Sequence, residues 1–401
     1  MRFDAEGPAP LLAVGAMSGT SLDGVTVALV RIEEPGPDDI RVALLAYRTL
    51  AYTAGQQARL AAAVRSGTPR DLTLLHADLG AWFADAVEAL LDHTGISRSG
   101  AASGAPASQS GAAPRPSPLA FVASHGQTIW HEPRRATLQL GNPAVLAERL
   151  GVPVISDFRS RDVAAGGEGA PLVPRADRLL FSRPDGPRAL LNLGGIANFT
   201  VVPRRGDPAS VLAFDTGPGV MVVDACVRRL FPGRRFDEDG AIARSGRVLE
   251  PIVTASLAHP YFLAAPPKST GREMFGEAFT EGLLARCLEA SGAPADAVAT
   301  ATELTARAVA LGARLIPPDL APLDVVRSGG GARNPVLVAA IERHWPGVAH
   351  RAFDELYFDG EAKEAVAFAL LGYLTWTGRP GNEPGATGAA GPRVLGSVTP
   401  P

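Results

Sequence analysis

Apolar runs of strand length alternate along this chain with longer stretches whose apolar residues recur every three to four positions, the pattern of a layered α/β protein. LLAVGAM and VTVALVRI read as two buried strands joined by a turn of glycine and hydroxyl residues, and VALLAYRTL reads as a third strand. Residues 71–92, DLTLLHADLGAWFADAVEALLD, keep the helical period and predict a helix capped by Asp71. LAFVASHG predicts a buried strand ending in polar residues. At mid-chain, ALLNLGGIANFTVV repeats the opening order of strand, glycine turn and strand, and VLAFDTGPG then brings an Asp-Thr-Gly turn to a strand end, with MVVDACVRRLF following as a helix. ATELTARAVALGARLI and EAKEAVAFALLGYLTW predict further helices, and VVRSGGGARNPVL predicts strand, glycine turn and helix start. The second half echoes the first in architecture without a countable short repeat, which points to a duplicated lobe and away from a solenoid.

Length supports two lobes: 401 residues exceed the size at which one hydrophobic core stops growing. We expect an N-terminal lobe over residues 1–180, a C-terminal lobe over 181–360, and a crossing helix and tail over 361–401. SRSGAASGAPASQSGAAPRPSP, residues 97–118, has no aromatic and almost no large aliphatic residue, so a mobile surface insert is expected there. The Gly- and Pro-rich C-terminal stretch closes on an apolar VLG that could pair at a sheet edge.

Composition removes several function classes. A net charge of −3 supplies no basic field for a phosphate backbone, so no nucleic-acid partner is expected. The two cysteines, Cys226 and Cys287, lie far apart and form no CxxC, which leaves them as small buried apolar side chains. MRFDAEGPAP carries an acid, an early proline and no long apolar core, and no long uncharged apolar run offers a membrane span, so a cytoplasmic protein without secretory leader or membrane contact is the expectation.

The glycine turns are the candidate chemistry. Glycine lets backbone N–H groups approach an anion without a Cβ clash. The P-loop lysine is missing from every such turn, SGGGARN places Asn334 where a dinucleotide fingerprint needs its last glycine, HEPRR lacks the second histidine of HExxH, and GxSxG is absent. Three glycine turns remain, two of them with an aspartate beside Ser or Thr. Phosphoryl transfer asks for such a set: donors around the β- and γ-phosphates, a carboxylate to hold Mg²⁺ through water, and a carboxylate near the acceptor.

GAMSGTSLDGV, ASHGQTIWHEP, LQLGNPAVLAERLGVPVISDFRSRDVAAGGEGAPLVP, LLNLGGIANF, FDTGPG, PPKSTGREMF, SGGGARNP and EAKEAVAFALL, in this order, resemble the anhydro-N-acetylmuramic acid kinase family over nearly the whole chain except the 97–118 insert. The resemblance implies a two-lobed actin-like ATPase fold, a duplicated ribonuclease H-like α/β domain with ATP in the interlobe cleft, as in actin, heat-shock chaperones and sugar kinases. It implies ATP and Mg²⁺ as cofactors and a small amino sugar as substrate: 1,6-anhydro-N-acetylmuramic acid, opened by water and phosphorylated at O6 in peptidoglycan recycling. A homodimer is a candidate assembly that the sequence leaves open.

By the same resemblance, Asp215 of FDTGPG corresponds to the catalytic base. Ser18, Gly19, Thr20, Ser21, Leu22, Asp23, Gly24 and Val25 correspond to the ATP-phosphate turn. Gly194, Gly195 and Gly217 join the ATP-binding set, and Gly329, Gly330 and Gly331 match the adenosine-side turn. His125, Arg159 and Glu364 are the candidate substrate ligands, with Arg159 suited to the lactyl carboxylate. Three positions depart from the family pattern as we read it: Val220 stands for Asn, Glu168 for Gln, and NEPGATGA for NLPSVTGA.

Plain readings stand beside these roles. Asp215 could cap the following helix, and Asp23 could belong to a two-residue hairpin turn. His125 could be a buried structural imidazole, Arg159 a surface ion-pair residue, and Lys268 solvent-exposed. Another sugar or acetate kinase of the same fold would share the three turns. A nucleotide-gated binding protein would need a peptide-binding module beyond the last helix.

Overall fold

The computed structural model describes residues 10–19, 22–36, 39–96 and 119–401; the expected insert at 97–118 lies outside them. The chain divides into two compact units, one of residues 1–180 with 361–401 and one of residues 181–360.

In the first unit, β1 (Leu11–Ser18), β2 (Gly24–Gly36) and β3 (Asp39–Ala51) form an antiparallel meander. On the other side of β1 lies β4 (Leu119–Glu132), parallel to it, and then β6 (Val154–Ser156), parallel to β4. β5 (Ala136–Leu140) folds back on the distal half of β4. That pairing explains why β4 does not stop at its polar residues: Gln127 to Glu132 find ladder partners in β5, so the strand outlasts its apolar run.

The second unit repeats the plan. β7 (Arg188–Leu193), β8 (Ile196–Val202) and β9 (Leu212–Pro218) form the meander, and β10 (Asp324–Ser328) and β11 (Ala349–Ala352) add in parallel beside β7. Both sheets therefore order three antiparallel strands and two parallel ones about the first strand. This repeated strand order is the duplicated ribonuclease H-like α/β plan expected from the sequence, and it is the physical content of the echo between the two halves.

Two sequence readings need correction. The helix at 71–92 spans Pro69–Thr94, and its N-cap is Thr68; Asp71 is the third residue of a reciprocal capping box, its carboxylate taking the Thr68 backbone N–H. The sheet-edge strand at the C-terminus, β12, is Ser397–Thr399, beyond the apolar VLG, and it pairs antiparallel with β6. Leu395 of that VLG is fully buried, so its burial pins the tail while the next residues make the ladder.

The helix Lys363–Trp376 crosses β1 so closely that a Cβ on Gly15 would lie 1.8 Å from the Ala365 carbonyl oxygen. Its buried residues include Phe368, Leu370, Leu371 and Leu374, each worth roughly 1.5–3 kcal/mol of transfer free energy. Cys226 and Cys287 are buried and free, as expected of apolar fillers. Among the described residues no helix is long and apolar enough to cross a membrane.

Candidate active site

In the first unit, the opening turn joins β1 to β2. Ser18 is buried, and its hydroxyl points inward: it lies 2.9 Å from the Gly24 carbonyl and 2.6 Å from Gln127 Oε1, and it accepts from the Tyr52 hydroxyl at 2.9 Å. Burial pushes the Tyr52 phenol up to about 12 despite that hydrogen bond, so it remains a donor at any working pH. Gln127 Nε2 donates to the Gly19 carbonyl at 3.2 Å, and the Tyr52 amide donates to the Asp23 carbonyl at 3.0 Å. These bonds brace the turn from behind. Val25 is core, and a Cβ on Gly24 would lie 2.4 Å from the Leu50 carbonyl oxygen. Ser18, Gly24 and Val25 thus build the turn, whereas Asp23 faces solvent. Leu22 holds φ of 60°, a left-handed conformation that a branched side chain adopts only under constraint. Five residues separate β1 from β2, which rules out the two-residue hairpin for Asp23. Thr20 and Ser21 lie outside the described residues.

The same unit brings together His125 from β4, Arg159 just after β6, and Glu364 at the start of the crossing helix. Arg159 Nε donates to His125 Nε2 at 2.9 Å, and Nη1 donates to the Gly169 carbonyl at 2.8 Å. His125 Nδ1 lies 2.9 Å from the Gly126 carbonyl, so the network assigns the proton to Nδ1 and leaves Nε2 as acceptor. Burial, reinforced by the Arg159 charge, lowers the imidazole to about 3 and keeps it neutral. Both ring nitrogens are spent inside the protein, and the ring packs 4.7 Å from that of Phe368. Arg159 is no surface ion-pair residue: burial lowers its guanidinium to about 10, with Glu364 and Asp162 opposing the shift. It stays cationic at neutral pH, and among the described residues no carboxylate forms an ion pair with it. Glu364 keeps an exposed side chain, yet desolvation by surrounding protein raises its carboxyl above the ordinary range; Lys363 and Arg159 pull it down, and Asp177 adds to the rise. Lys363 itself pairs with Asp177 at 3.1 Å.

In the second unit, Asp215 sits in β9. Its amide donates to the Lys268 carbonyl at 3.0 Å, its carbonyl accepts from the Tyr261 hydroxyl at 2.8 Å, and its Oδ2 accepts from the Thr270 amide at 2.9 Å. Residues 268–270 therefore lie along β9 and fix the carboxylate. Burial raises the Asp215 carboxyl to about 6; the Thr270 N–H pulls it down and the Glu273 charge adds to the rise. Asp215 caps no helix. The helix Met221–Leu230 starts from Val220, and the amides of Gly219, Val220 and Met221 donate to the carbonyls of Gly195, Gly194 and Gly195 at 2.8, 2.9 and 3.2 Å. The carbonyls of the β7–β8 turn thus occupy that helix N-terminus, which differs from a turn that offers only N–H groups. Lys268 is half-buried; its Nζ donates to the Tyr261 carbonyl at 3.0 Å and stands 4.8 Å from the Tyr261 ring centroid. Gly217 has φ of 142°, and a Cβ there would meet the Phe262 ring at 2.7 Å.

The β10 turn separates packing glycines from an open one. Gly329 has φ of 83°, and its Cβ would lie 2.7 Å from Asn192 Oδ1; a Cβ on Gly331 would lie 2.8 Å from Val220 Cγ1. Val220, one of the departures from the family pattern, thus packs on this turn. A Cβ on Gly330 meets nothing within 4 Å. Gly330→Ala should change stability by no more than about 0.5 kcal/mol, while Gly329→Ala should lose more than about 1 kcal/mol through its left-handed backbone alone; thermal denaturation of the two variants compares them.

Sequence reasoning missed Tyr261, Thr270 and Glu273 around Asp215, and Asp162 and Gly169 around Arg159. PPKSTGREMF offered a signal: charge, hydroxyl and glycine crowd a short segment without apolar period, of which Arg272–Phe275 forms a single helical turn.

The family model described as anhydro-N-acetylmuramic acid kinase matches residues 11–401. The chain belongs to the anhydro-N-acetylmuramic acid kinase family. The enzyme of that name from Caldanaerobacter subterraneus subsp. tengcongensis is 39% identical over 401 residues, covering 97% of this chain and 96% of the relative. Those from Salinibacter ruber and Bacillus cereus are 39% and 38% identical, covering 97% and 96% of this chain and 96% and 98% of their own length. Among solved structures, (R)-2-hydroxyglutaryl-CoA dehydratase component A from Acidaminococcus fermentans aligns over 90% of this chain and 96% of its own, with 13% identity and a TM-score of 0.45.

Proposed function

We infer that this chain is an ATP-dependent kinase that opens 1,6-anhydro-N-acetylmuramic acid with water and phosphorylates it at O6, giving N-acetylmuramic acid 6-phosphate and ADP in peptidoglycan recycling. Family membership over residues 11–401 carries this reading. The anhydro bridge ties the anomeric carbon to O6, so O6 is both the leaving group of ring opening and the nucleophile toward phosphorus. Water forms the new bond to the anomeric carbon as the bond to O6 breaks; O6 takes the γ-phosphoryl group, and ADP departs.

Asp215 is the base that removes the water proton in this scheme. An ordinary aspartate, near 3.9, is weak for that task; at about 6, Asp215 remains ionised at neutral pH and is a better proton acceptor. The developing positive charge at the anomeric carbon acidifies the attacking water as the two meet. Arg159, cationic and with no carboxylate ion pair among the described residues, would take the lactyl carboxylate, and Glu364 would contact sugar hydroxyls or the anomeric centre. His125 acts through Arg159.

The turn from Gly19 to Asp23 is the proposed phosphate side, and the Gly329–Gly331 turn the adenosine side. Among the described residues no group of three or more His, Cys, Asp or Glu side chains is placed to hold a metal ion. Mg²⁺ typically keeps several waters and rides on nucleotide phosphates, and the exposed Asp23 carboxylate fits it as a partner through water. When bound, the ion would neutralise charge on the transferring phosphoryl group. The test is ADP formation from Mg-ATP with and without the anhydro sugar: sugar-dependent ADP and a sugar phosphate are expected, and sugar-independent ADP with free phosphate would contradict the assignment.

A further inference from the structure

We propose that the C-terminal tail is a positioning element for Arg159, acting through the buried carboxylate of Asp162. Arg159 is held on two edges, by His125 and by the Gly169 carbonyl at 2.8 Å. Gly169 lies in AAGGEGA, where Glu168 carries the one long side chain and turns it to Arg134 at 3.3 Å, so the Gly169 carbonyl depends on main-chain anchoring. Asp162 does so: its Oδ2 accepts from the Gly169 amide at 2.8 Å, and its main-chain carbonyl accepts from the Gly167 amide at 2.9 Å.

The other carboxylate oxygen belongs to the tail. Asp162 Oδ1 accepts from Asn382 Nδ2 and from Thr387 Oγ1, both at 2.8 Å, and all three side chains are buried. Two main-chain bonds tie the same pieces together: the Glu168 amide donates to the Thr387 carbonyl at 2.7 Å, and the Ala390 amide donates to the Ala165 carbonyl at 2.9 Å. An unbroken path of hydrogen bonds thus runs from Thr387 and Asn382 through Asp162 and Gly169 to the guanidinium. Because a guanidinium fork recognises a carboxylate in one plane, a loosened Gly169 carbonyl costs carboxylate binding before it costs the fold.

The proposal rests on the reading that Arg159 meets the sugar carboxylate, and the experiment separates the two. Calorimetry gives dissociation constants of the anhydro-muramic acid and of its lactyl amide for the parent protein, Thr387→Val, Thr387→Ser, Asn382→Ala and Arg159→Lys. Thr387→Val and Asn382→Ala should each weaken the acid by about fivefold, the worth of one buried hydrogen bond. Amide binding and kcat on the acid should hold, and Thr387→Ser should restore the acid. Equal weakening of acid and amide, or none, overturns the tail's role and marks a merely structural contact. If Arg159→Lys keeps the parent's preference for acid over amide, the carboxylate reading itself fails; if it loses that preference while both tail variants keep it, only the tail proposal fails.

Discussion

Asp215→Asn should still fold and bind ATP and sugar, but turn over at least about 100-fold more slowly, the low end of what a positioned general base contributes. Asparagine keeps the shape, and its oxygen can still accept the Thr270 amide that now holds Oδ2 at 2.9 Å. It cannot take a proton from water. In the parent protein the carboxyl stands at about 6, because burial outweighs the Thr270 hydrogen bond and Glu273 adds its charge. Since the ionised form does the work, kcat/KM should rise about tenfold per pH unit below that value and flatten above it. The Asn variant should lose this limb. Stability moves the other way. A folded-state value above the unfolded value of about 3.9 means that the contribution is complete below 3.9 and is lost as pH rises through about 6. At neutral pH the ionised carboxylate therefore burdens the fold, and the variant should melt no lower than the parent. Parent-like turnover in a well-folded variant would remove Asp215 from the mechanism.

Asp324→Ala should cost about 3–5 kcal/mol, because it strands a buried arginine. Asp324 opens β10 with no exposed surface; it accepts from Arg188 Nε and Nη2 at 2.8 and 2.7 Å and from Arg183 Nη1 at 2.8 Å. Arg188 is itself buried and also bonds the Tyr357 hydroxyl. Burial pushes the Asp324 carboxyl up, but the Arg188 bonds and charge, with Arg183 behind them, hold it below the ordinary value. A depressed folded-state value stabilises the protein above the unfolded aspartate value, and that stability is lost as pH falls through the lower, folded one. The consequence reaches the β10 turn, since this strand carries Gly329–Gly331. Chemical denaturation of Asp324→Ala and Asp324→Asn at neutral pH measures the loss; a change under about 1 kcal/mol in both would contradict a strained dependence on this carboxylate.

Much of this molecule was legible in the residues. The paired meanders follow from apolar runs broken by glycine, because β1 with β2 and β7 with β8 are local pairings that a short turn specifies. The family motifs singled out Asp215 and Arg159 as candidates, and the structure surrounds each with hydrogen-bond partners. Direction was not legible. Ser18 looked like a phosphate donor, yet its hydroxyl turns inward because Gln127, 109 positions away, and Tyr52 meet it there. His125 looked like a ligand, and only the approach of Arg159 shows that its Nε2 is taken. The raised Asp215 carboxyl was equally hidden, since it arises from burial under residues 261–273 and not from its own neighbours in sequence. The helix start near Asp71 was misplaced because Thr68 and Asp71 cap one another, and the sequence shows the pair without showing which is the cap.

The position of the water oxygen in the product tests the coupled reaction most directly. The enzyme would be given Mg-ATP and the anhydro sugar in 18O-labelled water, and the sugar phosphate analysed by mass spectrometry before anomeric exchange. Label is expected at the anomeric carbon at early times, with the original bridging oxygen retained in the phosphate ester. Label in the phosphate group, or an unlabelled anomeric carbon, would contradict ring opening by water coupled to phosphoryl transfer.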